Sequence, residues 1–123
     1  MYVYEKPQHD PNAWQHVAYA TAKFLVPLLK EFEHRNHSFP VNTVFPNFRQ
    51  WDWETQTQVS DICAKLWGEY LRRMIWSFEY FIKAEEDEYD DLPNWGSNER
   101  QMMEQRYKEG MALFAKYFRD LWD

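Results

Sequence analysis

The sequence predicts an all-α fold: a three-helix bundle in a single helical domain spanning residues 1–123. Apolar residues recur every three or four positions over three long stretches, which is the spacing of an amphipathic helix. The chain has only three glycines and six prolines, so few positions interrupt a helix. A chain of 123 residues also has the length of one domain.

The first helix is predicted from Pro11 to His34. Asp10 can cap its first turn, and proline fits the first helical position that follows. Apolar residues then keep helical spacing from Trp14 to Phe32. Pro27 lies inside this stretch and removes one backbone hydrogen bond, so a kink is expected over residues 23–26.

The segments outside the helices are a short β-like arm at residues 1–9 and two connections. The long connection between Arg35 and Trp51 is rich in aromatic residues, which indicates that it packs against the helices. A connection of this length is uncommon in a compact domain and is often functional. The second connection begins with the acidic run EEDEYDD at residues 85–91, and negative charge opposes the dipole at a helix C-terminus. The second helix is therefore expected to end near Ala84.

The second helix follows the N-cap Asp52 and has the most regular pattern. Its apolar positions are Val59, Ile62, Cys63, Leu66, Trp67, Tyr70, Leu71, Met74, Ile75, Phe78, Phe81 and Ile82. Trp76 and Tyr80 point away from this stripe, so the end of the helix is expected to be covered on two sides. Gly68 costs about 1 kcal/mol relative to alanine, unless it lets another backbone come close. Cys63 is expected to be a buried, inert thiol.

The third helix is predicted to begin at a cap formed by Ser97 or Asn98, with Gln101 completing a capping box after Asn98. Its apolar positions are Met103, Tyr107, Met111, Phe114, Tyr117, Phe118, Leu121 and Trp122. Leu121 and Trp122 are expected to pin the last turn in the core. Deleting the final LWD should then be costly, at roughly 1.5–3 kcal/mol for each buried large side chain.

Composition limits the possible functions. Fourteen Lys and Arg against twenty Asp and Glu give a formal charge of −6, which disfavours nucleic acid as a partner. The sequence has no apolar run long enough for a membrane span, no signal peptide and a single cysteine, so we expect a reduced, cytoplasmic protein without a membrane partner. Aromatic residues make up 20%, which predicts a large buried volume, an aromatic-lined pocket or a buried homo-oligomer interface.

Signals for catalysis or metal binding are sparse. Glu88 and Asp91 form a Glu-x-x-Asp pair like that with which all-α nucleotide pyrophosphatases bind magnesium. The companion Glu-Glu-x-x-Glu motif is missing, so a solvated or partner-binding acidic loop is favoured. His34 and His37 make a zinc site conceivable, but exposed or capping histidines are favoured. The sequence therefore predicts no enzyme, no metal and no cofactor.

One cluster on the second helix suggests ligand binding. Arginine can hold a phosphate through two N–H groups, and an aromatic face can stack a base. The predicted ligand-binding residues are Arg72, Arg73, Trp76, Tyr80, Lys83 and Arg106. The ligand would be a nucleotide-like small molecule. The alternative is a second apolar face buried in a dimer, with the arginines reaching solvent or acidic residues. The two interpretations are compatible, because symmetric interfaces often hold ligands.

Two segments in the second half of the chain resemble a known group of proteins. The segment IWSFE from Ile75 to Glu79 precedes an acidic insert, and GMALFAKYFRDLWD from Gly110 to Asp123 follows it. This combination resembles short, poorly characterised proteins of tailed bacteriophages over residues 51–123. The resemblance implies no catalytic residue. It implies a small non-structural protein in the host cell cytoplasm that binds a host protein, a defence complex or a nucleotide signal.

Three functions are therefore predicted in order of preference. The first is a non-enzymatic counter-defence protein that sequesters a small nucleotide signal, with its pocket at a homo-oligomer interface. The second is an inhibitor that binds a host or defence protein through the acidic loop at residues 85–91. The third is an all-α, metal-dependent nucleotide hydrolase.

Overall fold

A computed structural model describes residues 13–36, 38–86 and 92–122. Four α-helices follow in chain order: α1 (Val17–Arg35), the single-turn α2 (Val41–Val44), α3 (Trp53–Glu85) and α4 (Asn98–Tyr117). Short 3-10 turns occupy Ala13–His16, Phe48–Gln50 and Phe118–Asp120. These ranges contain no strand, so the predicted three-helix bundle is confirmed in α1, α3 and α4. None of their helices is long and apolar enough to cross a bilayer. The β-like arm predicted at residues 1–9 lies outside the described ranges.

Two predicted caps start the two helices that follow connections. The carboxylate of Asp52 accepts a hydrogen bond from the Thr55 N–H at 2.7 Å, and this bond lowers the pKa of Asp52. The hydroxyl of Ser97 accepts one from the Arg100 N–H at 3.1 Å, so the cap of α4 is Ser97. Both caps satisfy a backbone donor that the first helical turn leaves unpaired. α1 continues through Pro27.

The central helix of the bundle is α3. It packs against α1 and against α4. The end of α3 lies beside the early part of α1 and the early part of α4, so α3 is antiparallel to both. α1 and α4 therefore run parallel to each other. This arrangement explains why the longest apolar stripe in the sequence belongs to α3.

The core consists of two clusters along that stripe. The first joins Ala22 and Leu29 of α1 to Ile75 and Phe78 of α3, and the second joins Trp67, Leu71 and Met74 of α3 to Tyr117 of α4. Every predicted stripe residue is buried or half-buried except Ile62, which is 56% exposed. Cys63 is a fully buried free thiol, as predicted. Burial raises the pKa of this thiol, so little reactive thiolate exists at neutral pH.

α3 and α4 come close together at Gly110. A Cβ atom there would lie 1.8 Å from the Oγ of Ser77 and 2.6 Å from the backbone oxygen of Arg73. Ser77 is fully buried, and its hydroxyl donates a hydrogen bond to a carbonyl of α4 at 3.1 Å. At Gly68 an added Cβ would meet only the guanidinium of Arg72 at 3.3 Å, the end of a flexible side chain. The close backbone approach considered for Gly68 is therefore found at Gly110.

Three ion pairs follow the contact between α1 and α3. They are Lys23–Glu86 at 3.7 Å, Lys30–Glu79 at 2.8 Å and Glu33–Arg72 at 3.2 Å. Arg72, Glu79 and Glu86, the residue that follows α3, are spaced seven residues apart, so they lie along one side of the helix. All six side chains are partly exposed, and pairs of this kind contribute about 0–1 kcal/mol each. The apolar core therefore provides most of the stability of this contact.

The long connection is packed, as its aromatic residues predicted. Phe48 is 6% exposed, and its ring meets Phe39 edge-on at 5.9 Å and Trp51 at 5.6 Å. Gln56 of α3 donates to the carbonyls of Phe48 and Trp51 at 3.2 and 2.9 Å. Asn47 has a φ of 69°, a left-handed conformation that asparagine tolerates better than most residues. These contacts fasten the connection onto the first turns of α3.

The last turn of the described chain differs in part from the prediction. Leu121 is half-buried and packs against both core clusters, as expected. Trp122 is 72% exposed and Phe118 is 59% exposed, so the prediction that Trp122 pins the core is wrong. The physical reason is that α4 ends at Tyr117 and continues as a 3-10 turn, which changes the angle between successive side chains.

Candidate functional site

Three of the six predicted ligand-binding residues line one open cleft on the outer side of α3. Arg72 and Arg73 of α3 and Arg106 of α4 form it together with Glu69 and Glu109, and we call it the arginine cleft. Its volume is about 510 Å³, within the roughly 300–1,000 Å³ of small-molecule sites. Three arginines and two glutamates give its wall a formal charge of +1 on a chain of −6.

Two of these arginines already bind carboxylates. Arg73 donates to Glu69 at 2.8 Å, and Arg72 donates to Glu33 of α1 at 3.2 Å. The side chains of Arg72 and Arg73 are 62% and 48% exposed, so water screens both pairs. Among the described residues, Arg106 has no carboxylate partner. The cleft therefore combines two weakly held guanidinium groups with a third that is not ion-paired.

Trp76 lies beside the arginine cleft and is not part of its wall. The guanidinium carbon of Arg106 is 4.1 Å from the centre of its ring. Tyr80 stacks on the same ring, with ring centres 5.1 Å apart and planes inclined by 8°. Because both neighbours already contact the indole, a base can stack on it only by displacing one of them. The arrangement suits an anion better than a base.

Tyr80 belongs to a buried polar cluster farther along α3. It is 6% exposed; its hydroxyl donates to Glu104 at 2.9 Å and accepts from the Nε of Arg100 at 2.6 Å. Arg100 is itself 5% exposed, donates to the Pro93 carbonyl at 3.1 Å and lies 3.8 Å from the ring centre of Trp95. The end of α3 is thus covered on a second side, as predicted. The cluster fastens the segment before α4 to α3.

Both tyrosines near this cluster have perturbed acidity. Burial raises the pKa of Tyr80, its hydrogen bond to Glu104 adds to this effect, and Arg100 opposes it. Burial also raises the pKa of Tyr107, with a contribution from the negative charges of Glu104 and Glu85. Each phenol therefore stays protonated at neutral pH and acts as a hydrogen-bonding or packing group.

Arg100 and Lys83 differ from what the sequence pattern predicts. Arg100 was not anticipated, because a positive charge in the first turn of a helix opposes the dipole and is usually solvated. The pattern of apolar residues contained no signal for its burial. Lys83, which was predicted to bind the ligand, is exposed and is not among the residues of the arginine cleft.

A second cleft lies between the long connection and the turn after α4, and we call it the loop cleft. Its volume is about 460 Å³. Its lining residues are Ser38, Phe39, Pro40, Val41, Arg49, Trp67, Asp120 and Trp122. Trp67 and Glu69 are two positions apart on α3 and so point in nearly opposite directions, which separates the two clefts. Helical spacing cannot reveal this site, because it depends on where the last turn meets the connection.

Of the residues considered for a metal site, only His34 lies in the described ranges together with its neighbours Glu31 and Glu33. These ranges contain no group of three His, Cys, Asp or Glu side chains that could hold a metal ion. His34 is exposed at the end of α1. His37, Glu88 and Asp91 lie outside the described ranges, so the interpretations given for them remain predictions. The same holds for most of the acidic loop.

Fold and clefts together define an all-α bundle with surface sites of small-molecule size. Comparison of the chain with protein-family models, with curated proteins and with solved structures gave no match in any of the three. The resemblance to short phage proteins therefore stays a prediction, and so does the homo-oligomer.

Proposed function

We propose that the protein is a non-enzymatic binding protein that sequesters a small phosphate-bearing molecule, such as a nucleotide, in the arginine cleft. The observation that supports this function is the presence of three guanidinium groups from two helices in one cleft. A guanidinium binds a phosphate through paired N–H donors and keeps its charge at every cellular pH. The core holds α3 and α4 together, so the three groups start close to one another.

Phosphate binding in this cleft would exchange one anion for another. The ion pairs Arg73–Glu69 and Arg72–Glu33 would break when phosphate binds. Arg106 has no ion pair with a described residue, so none would have to break there. The two glutamates are 50% and 30% exposed, so water can solvate them once they are released. Exposed pairs of this kind cost about 0–1 kcal/mol to break, and a phosphate carries more negative charge than one carboxylate. The electrostatic attraction between the arginines and a phosphate therefore exceeds the attraction that is lost with the two carboxylates.

The biological role proposed with this chemistry follows from the phage resemblance. A small protein that removes a nucleotide signal from the host cytoplasm needs affinity and no turnover. Its abundance would set how much signal it holds. This role agrees with a site that offers positive charge on a rigid helical frame.

Isothermal titration and thermal shift with cyclic and linear nucleotides and with inorganic phosphate test the function. Arg73→Gln and Arg106→Gln should each weaken binding about tenfold, since a hydrogen bond to a charged group contributes about 1.5–3 kcal/mol. Arg35→Gln is the matched control, because Arg35 pairs with Glu31 one turn away just as Arg73 pairs with Glu69. The absence of any wild-type binding at millimolar ligand would overturn the proposal. Binding that both cleft variants leave unchanged would also overturn it.

A further inference from the structure

We propose that the loop cleft is a second binding site, for a small planar aromatic molecule that carries one anionic group and one amino group. The volume of about 460 Å³ fits a single molecule of that kind. The proposal is independent of the arginine cleft, which lies on the other side of α3. It rests on the rings of this cleft, on two charged groups that pair with no described residue, and on its exposed tryptophan.

The aromatic walls of the loop cleft are held in place before any ligand arrives. Trp67 is 2% exposed and meets the ring of Tyr117 edge-on at 5.3 Å. Phe39 is held in the same way against the buried Phe48. A ligand that contacts rings already fixed by packing pays less to order them. Stacking on an aromatic side chain contributes about 1–3 kcal/mol per planar ring.

Trp122 lies at the open side of the loop cleft. It is 72% exposed, and none of the ring contacts found in the described part of the chain involves it. A large aromatic side chain in this state can lie flat on a ligand and lose contact with water as it does so. Leu121, which packs in the core, fixes the backbone next to it. Trp122 is therefore placed to cover a ligand that rests against the half-buried Phe39 in the same cleft.

The charged groups of the loop cleft define the ligand further. Neither Arg49 nor Asp120 forms an ion pair or side-chain hydrogen bond with a described residue, and the two do not pair with each other. Arg72, Arg73 and Arg100, in contrast, all bind carboxylate or hydroxyl oxygens. Arg49 can therefore bind an anionic group, whereas Asp120 can accept a hydrogen bond from an amino group. Asp120 would repel a ligand that carried negative charge alone.

Two groups of metabolites share this chemistry. A nucleoside monophosphate with an amino-bearing base has a planar ring, a phosphate and an amino group. An aromatic amino acid has a planar ring, a carboxylate and an ammonium group. The test includes one nucleoside monophosphate and one aromatic amino acid, so that it shows which of the two kinds of molecule binds.

The full chain is titrated with adenosine monophosphate, adenosine, inorganic phosphate and L-tryptophan. Calorimetry and ligand-observed NMR measure the binding of each compound. We expect adenosine monophosphate or tryptophan, or both, to bind at millimolar concentration or below. Trp122→Ala should weaken that binding at least fivefold. Arg49→Gln should weaken the binding of the anionic ligands about tenfold and leave the binding of adenosine unchanged. Trp53→Ala and Arg119→Gln are the matched controls, since both residues are exposed and neither lines the cleft.

Each result decides the proposal. If neither adenosine monophosphate nor tryptophan binds, or if the controls weaken binding as much as Trp122→Ala and Arg49→Gln do, the proposal is overturned. Binding that is lost in Arg73→Gln but kept in Arg49→Gln puts the ligand in the arginine cleft; the loop-cleft site then fails and the proposed function stands. Binding that is lost in Arg49→Gln but kept in Arg73→Gln puts the ligand in the loop cleft; the loop-cleft site then stands and the proposed function fails for that ligand. Equal melting temperatures of Trp122→Ala and wild type would show that a loss of binding in this variant is not caused by unfolding.

Discussion

The two halves of α3 are covered to different degrees. Between residues 67 and 85 the helix lies between α1 and α4, and every apolar residue of its stripe is buried or half-buried. Between residues 53 and 66 the long connection contacts the helix at Gln56, and Trp53 and Ile62 are 81% and 56% exposed, although Cys63 is fully buried. The apolar spacing is the same in both halves. The comparison shows that spacing determines which side of a helix is apolar, whereas the neighbouring chain determines how much of that side is buried.

The largest effect should come from truncating the same stripe in each half. Met74→Ala removes a fully buried side chain and should lower the free energy of unfolding by about 3 kcal/mol, since it leaves a cavity. Ile62→Ala should change it by less than about 0.5 kcal/mol, since the side chain already contacts water. Urea denaturation of the two variants measures both values. Similar losses would show that the first half of α3 is buried by something other than the described contacts.

The next largest effect separates the two glycines of the bundle. Gly110→Ala should destabilise by about 2 kcal/mol, although alanine favours helices, because its methyl group overlaps Ser77 and the Arg73 carbonyl. Gly68→Ala should be neutral or stabilise by up to about 1 kcal/mol, since the Arg72 side chain can move. Thermal and urea unfolding provide the comparison. Adding Ser77→Ala to Gly110→Ala should recover part of the loss. A Gly110→Ala protein as stable as wild type would contradict the close approach.

A smaller effect distinguishes two adjacent residues of the final turn. Leu121→Ala should cost about 1.5 kcal/mol, which is less than for a fully buried leucine because Leu121 is half-buried. Trp122→Ala should stay within about 0.5 kcal/mol of wild type. Both values come from urea denaturation without added ligand. A larger loss for Trp122 than for Leu121 would restore the original expectation that the tryptophan anchors the core.

The smallest effect concerns alkaline pH. The pKa values of Tyr80 and Tyr107 are raised in the folded chain, mainly by burial. Below the unfolded pKa of about 10, both states hold the phenol proton and stability does not change. Above it the unfolded chain releases the proton more easily, so stability should fall as pH rises. The urea midpoint of wild type should decrease more between about pH 9 and 11 than that of Tyr80→Phe. Equal slopes would argue against this linkage.

Much of the fold follows from local patterns. The helices, the caps at Asp52 and Ser97 and the burial of Cys63 were all predicted, because each depends on residues close together in the chain. The ends at Arg35 and Glu85 agree within a residue for the same reason, whereas α1 begins at Val17 and not at Pro11. The failure at Trp122 arises because a 3-10 turn ends the helical spacing there, and no residue in that turn forces the change.

The sites depended on information that the spacing does not contain. Arg72, Arg73 and Arg106 line one cleft, since two are adjacent and α4 returns beside them, and their role in ligand binding stays a prediction. The hydrogen bond from Arg100 to Tyr80 joins two helices, so the spacing within α3 does not reveal it. The close backbone approach was predicted as a possibility for Gly68 and occurs at Gly110, because helical spacing does not indicate where α4 crosses α3. The loop cleft was hidden for the same reason, as it joins residues far apart in the chain.

The ion pairs between α1 and α3 also favour one alignment of the two helices. Sliding α1 by two turns toward the N-terminus of α3 would bring Lys30 opposite Arg72. Sliding it the other way would bring Glu33 opposite Glu79. Either slip puts like charges together, because the pair Glu33–Arg72 has the reverse polarity of the other two. These weak surface pairs therefore add a small preference for the native alignment, which an apolar seam alone would not provide.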